Sequence, residues 1–145
     1  MTKLSQVEDG VASIVKRYGR VVAVITAAGG RTRANVGAFT EAAVDTWMQI
    51  IELHLTGVLN LYYATLPHMC ANHRGALIAI SAVEAYRGLP DSAVYSTSKA
   101  AVAVLTKTLV REYKLNNIRF NSIIPPSKES LLKSCHNSIR FRART

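Results

Sequence analysis

Apolar positions along the chain change period several times, and each change marks an element. Val7, Val11, Ile14, Val15 and Tyr18 lie on one stripe at helical spacing, which predicts a first helix ended by Gly19. A continuous apolar run follows over residues 20–28 (RVVAVITAA), bounded by Gly29 and Gly30. So short a run reads as a fully buried strand of a parallel sheet rather than a helix. After the polar loop GGRTRANVGAF, Thr40 and Glu41 open a long helical stretch toward Asn72, with Trp47, Ile51, Leu55, Val58, Leu59 and Tyr62 at helical spacing. Pro67 lies inside this stretch and is expected to kink or end it, because proline lacks the helix N–H donor. A second strand is predicted over ALIAIS (76–81), then a loop containing Gly88 and Pro90. Ser92 stands where a helix cap belongs, before a third helix to about Tyr113 with Val102, Leu105 and Leu109 inward. Asn116 and Asn117 break it before a third strand, IRFNSII (118–124).

Strands alternating with helices long enough to cross over imply a parallel α/β sheet. No internal repeat is apparent. The last segment, PPSKESLLKSCHNSIRFRART (125–145), lacks a period and reads as an irregular tail. With 49% apolar residues the chain is too rich in core-forming side chains to be wholly disordered. No run of about 18 residues is free of charges and breakers, so a membrane span is not expected. Met1 to Gly10 has no apolar core of a secretory signal, and Cys70 and Cys135 form neither a disulfide framework nor a CxxC pair. The expectation is a soluble cytoplasmic protein.

The net charge of +9 raises the question of a nucleic-acid or membrane partner, and its location answers it. Residues 1–124 carry 13 Lys/Arg against 8 Asp/Glu; residues 125–145 carry five against Glu129 alone. Nearly half the excess therefore sits in the tail. Its arginine-rich end, IRFRART, has the composition of a phosphate-binding strip, but no nucleic-acid-binding module accompanies it. A solvated basic terminus is the expected reading.

One stretch carries chemistry. Tyr95-Ser96-Thr97-Ser98-Lys99 has the form YxxxK, preceded by ALIAIS and followed by IRFNSIIP. Upstream, TAAG (26–29) and HLTG (54–57) stand in the same register. Together these segments resemble the short-chain dehydrogenase/reductase family over roughly residues 5–126, with TAAG matching its NNAG turn and HLTG its NLxG segment. The resemblance implies a partial Rossmann-like parallel three-layer sandwich, of about three strands with crossover helices, over residues 1–124. It also implies an NAD(P)-dependent oxidoreductase that transfers hydride between a nicotinamide and an alcohol or carbonyl substrate. Tyr95 would be the general acid/base. Lys99, four residues later on the same helical face, would favour the tyrosinate and contact the nicotinamide ribose. Ala28 and Gly29, with Tyr95 and Lys99, would line the cofactor floor. Family members pair through the helices corresponding to 41–72 and 92–113, so a homo-oligomer is the expected assembly.

Several positions depart from the family pattern. Its catalytic serine falls at Ala82, which has no hydroxyl. Ser81 is adjacent, but neighbouring strand side chains point to opposite faces, so it would serve only if the strand end is bulged or slipped. Otherwise it simply terminates the strand. The family asparagine is His54, either a hydrogen-bonding proton relay or a packed, satisfied side chain. The proline-glycine expected after the last strand is Pro125-Pro126, and the glycine-rich TGxxxGxG loop for the dinucleotide pyrophosphate is nowhere in the sequence. In the family order another strand would pair alongside residues 20–28, so that strand is expected to be an exposed edge and one sheet face to lack most of its helices. The resulting expectation is impaired cofactor binding, with a non-catalytic fragment or partner subunit as the alternative.

Overall fold

A helix enters first, and three parallel strands follow in chain order, joined by helical connections. The computed structural model describes residues 1–30 and 36–125. Helix α1 (Leu4–Tyr18) leads to strand β1 (Ala23–Thr26). Helix α2 (Val44–Ile51) runs through a π-helical turn (Glu52–Thr56) into α3 (Gly57–Ala71). Strand β2 (Gly75–Ile80), a short α4 (Glu84–Arg87), α5 (Ala93–Glu112) and β3 (Ile118–Ile123) complete the order. The sheet order is β1-β2-β3, all parallel, with Ala23 opposite Ala76 and Gly75 opposite Ile118. The fold is the expected partial Rossmann-like α/β arrangement. The loop at 31–35 and all of the basic tail beyond Pro125 lie outside the described residues.

Local chemistry accounts for two of the element boundaries. Gly19 takes a left-handed φ of 79° and returns its N–H to Val15, which closes α1. Asn117, also left-handed at φ 57°, starts the approach to β3. The predicted inward stripe of α1 holds only in part. Val7 and Val11 are buried, whereas Ile14 and Tyr18 are 47% and 65% exposed. Helix α1 packs chiefly on α3, with Val15 also set against the core. Ser92 occupies the cap position of α5, but its side chain makes no capping bond, a correction to the expected role.

Pro67 neither ends nor interrupts the long helical stretch, since α3 continues to Ala71. The irregularity lies upstream, in the π turn. The buried side chains from Ile50 to Tyr62 are Ile50, His54, Val58 and Tyr62, at a four-residue spacing, with Gly57 buried beside them. On a 3.6-residue helix that spacing drifts about 40° per step. The wider π turn absorbs part of the drift and keeps His54 inward. Trp47, Ile51, Leu55 and Leu59, expected to face in, are consequently half-buried or exposed.

The helices α1, α3 and α5 all cover one face of the sheet. Val24, Leu77, Ala79, Ile118 and Phe120 point into that layer and join Val58, Tyr62, Leu66, Met69 and Val102 in one core. Tyr62 from α3 and Tyr113 at the end of α5 both meet the Phe120 ring. Alternate residues point the other way. Ile25 is 63% and Ile123 47% exposed, with Ile78 and Ile80 half-buried between them. Register places Ile25 beside Ile78 and Ile80 beside Ile123, so the apolar side chains form a continuous stripe. Among the described residues, then, the sheet holds one helical layer and a bare face. The fully buried strand expected at 20–28 is instead four residues long and buried on alternate positions only.

Candidate active site

The carboxyl end of β2 meets the first turns of α5, the place where open parallel sheets bind ligands. Lys99 joins the two. It is 5% exposed, and its ammonium donates to the Ile80 carbonyl at 2.9 Å. Its own backbone carbonyl accepts from Ser81 Oγ at 3.0 Å. Burial pulls the Lys99 pKa below the ordinary lysine value. No carboxylate among the described residues pairs with it. Tyr95 lies one turn earlier on the same helix and is half-buried.

Ser81 is committed elsewhere. Its N–H donates to the Ile123 carbonyl at 2.8 Å, so the ladder continues regularly past the end of β2. The bulge or slip that would turn its hydroxyl toward the tyrosine is absent, and that hydroxyl faces α5 with Leu77 and Ala79. Ala82, expected to stand at the family serine position, is buried and has no polar side chain to contribute.

His54 is 2% exposed and comes into the site from the π turn. Its Nε2 lies 3.1 Å from the Gly30 backbone nitrogen, and its Nδ1 lies 3.0 Å from Ser98 Oγ. The ring meets the Tyr95 ring edge-on, with centroids 5.5 Å apart. Burial, and then the nearby Lys99 charge, lower its pKa from 6.5 to about 4. At neutral pH the imidazole is uncharged. Ala28 is half-buried and Gly29 exposed on the turn after β1, where Gly29 takes φ 101°.

The structure thus brings Tyr95, Lys99, His54 and the Ala28–Gly29 turn together and directs Ser81 away. Ser98, inside the YxxxK segment, was not marked out by sequence; its partner is 44 residues away, beyond any local pattern. Beside the start of α5, the stacked Phe39 and Trp47 rings, 4.5 Å apart, line a small pocket together with Ser92.

A cofactor fits this set of residues at one end only. A buried ammonium with no carboxylate partner among the described residues and an exposed glycine turn suit the uncharged nicotinamide ribose. Among the described residues no glycine-rich loop opens a helix to receive a pyrophosphate.

Comparison with known proteins agrees with this geometry. The family profile described as short chain dehydrogenase matches residues 1–136. The chain is 30% identical over 125 residues to the 3-oxoacyl-(acyl-carrier-protein) reductase of Thermotoga maritima, covering 86% of this chain and 50% of that protein. A gluconate 5-dehydrogenase from Burkholderia cenocepacia, solved in complex with NADP and tartrate, is 26% identical with a TM-score of 0.81, covering 86% of this chain and 48% of that one. A short-chain dehydrogenase from Streptomyces avermitilis is 31% identical with a TM-score of 0.76, covering 85% and 43%. The chain spans about half the length of the curated relatives it matches. With the profile match over residues 1–136 and the parallel strand order, the chain belongs to the short-chain dehydrogenase family.

Proposed function

We propose that this chain carries the proton-transferring half of an NAD(P)-dependent dehydrogenase/reductase acting between an alcohol and a carbonyl. The observation that carries the reading is Lys99: a buried ammonium with no carboxylate partner among the described residues, one helical turn from Tyr95, at the carboxyl end of β2. A buried cation left unpaired is costly, and such costs concentrate where chemistry requires them. In this reading Tyr95 gives or takes the proton at its hydroxyl, and the Lys99 charge favours the tyrosinate. Lys99, Tyr95 and the Ala28–Gly29 turn hold the nicotinamide end of the cofactor, which supplies the hydride when bound. With Ala82 at the serine position, the substrate oxygen has one donor fewer than the family arrangement provides. Pairing of two copies through α3 and α5 is part of the proposal, supported by the exposure of Leu59, Tyr63, Val104 and Val110 on those helices.

A second reading, a non-catalytic partner of such an enzyme, is favoured by Ala82 and by the bare apolar face of the sheet. Titration with NADH and NADPH separates the two. The enzyme reading expects a nicotinamide fluorescence change that Lys99→Met abolishes, and oxidation of NAD(P)H by at least one carbonyl in a panel that Tyr95→Phe abolishes. No fluorescence response and no turnover in the unsubstituted chain overturns it.

A further inference from the structure

His54 touches both the turn after β1 and helix α5, and the hydrogens available fix how. The Ser98 hydroxyl is 2.7 Å from the Tyr95 carbonyl, which can only accept, so Ser98 donates there. Its oxygen is then left to accept from His54, which places the imidazole hydrogen on Nδ1. The Gly30 N–H can only donate, so Nε2 must be the bare acceptor. Both requirements select one form of the ring, neutral and protonated at Nδ1. The bonds run Gly30 N–H to Nε2, Nδ1–H to Ser98 Oγ, and Ser98 O–H to the Tyr95 carbonyl.

Shape reinforces the bonding. Gly29 sits at φ 101°, and a Cβ built there would overlap the His54 ring. The imidazole therefore occupies the space of a side chain at 29, and the ring in this position requires a glycine there. Both ring nitrogens are engaged with the protein, which leaves neither for carrying a proton to substrate.

We propose that His54 is a positioning residue, locked in the Nδ1–H tautomer, that pins the Gly29–Gly30 turn after β1 to the first turn of α5 and thereby sets Tyr95 against that turn. The proposal rests on Tyr95 being the acid/base group, and it replaces a proton-relay role for His54. Asparagine places its amide where Nδ1 lies, and glutamine reaches one atom further, to where Nε2 lies. His54→Asn should therefore retain the Ser98 contact and lose Gly30, and His54→Gln the converse.

The test begins with the unsubstituted chain. Long-range nitrogen–proton spectra of the labelled histidines at neutral pH should show His54 protonated at Nδ1 with Nε2 bare. A ring protonated at Nε2, or an imidazolium, overturns the proposal. Amide exchange at Gly30 should accelerate about tenfold in His54→Asn and stay near the original rate in His54→Gln. Equal acceleration in both, or in neither, also overturns it. These readouts involve no cofactor. Failure of nicotinamide binding counts against the functional reading alone, and a wrong tautomer counts against this inference alone.

Discussion

Two lysines placed on the bare face of the sheet provide a direct test of what that face does. Ile25 and Ile123 are 63% and 47% exposed on the same side. Fully burying an isoleucine is worth about 1.5–3 kcal/mol, so covering what these two still expose is worth about 2–3 kcal/mol together. A second copy seated on the stripe gains at least that, since a two-fold contact repeats each residue. Ile25→Lys with Ile123→Lys removes the gain and adds charge to an edge, the usual device against strand pairing. Sedimentation velocity over a dilution series should show the 145-residue chain self-associating, and the double variant doing so about 30- to 150-fold more weakly. Monomer stability should fall by about 1–3 kcal/mol, because about a third of Ile25 and half of Ile123 are already buried. A parent chain that stays a monodisperse monomer and melts cooperatively refutes the reasoning. So does association unchanged by the two lysines, which would place the contact on α3 and α5 instead.

Two further predictions concern charge. The pKa of His54 is about 4 in the fold against 6.5 for an ordinary histidine, so between those values the unfolded chain binds the extra proton. Stability is complete above about pH 6.5 and falls by about 2–3 kcal/mol as the pH drops toward 4, which urea titrations of the parent and His54→Asn should reveal as diverging pH profiles; parallel profiles count against it. Lys99 has a folded pKa below its ordinary value, so the fold gains stability as pH rises from the folded pKa toward 10.5. Lys99→Met should lose that alkaline gain and be more stable at neutral pH by about 1 kcal/mol, since it removes a desolvated charge; a lower urea midpoint for the variant contradicts this.

Local spacing determined a great deal about this protein. Helical and strand periods within single segments identified α1, β1, β2, α5 and β3, and their alternation implied the parallel sheet. Tyr95 and Lys99 were legible as a pair because four residues on a helix share a face whatever the surroundings. Other features depend on partners distant in sequence, and no period reports those. The π turn that holds His54 inward, the Gly30 and Ser98 contacts 24 and 44 residues from it, and the bonding of Ser81 to Lys99 were decided by packing. The sheet makes the same point. Its apolar runs announced side chains fit for burial, but which of them found cover depended on α1, α3 and α5 all lying on one side. Burial is a property of what arrives at a surface, and only the tertiary structure says what arrived.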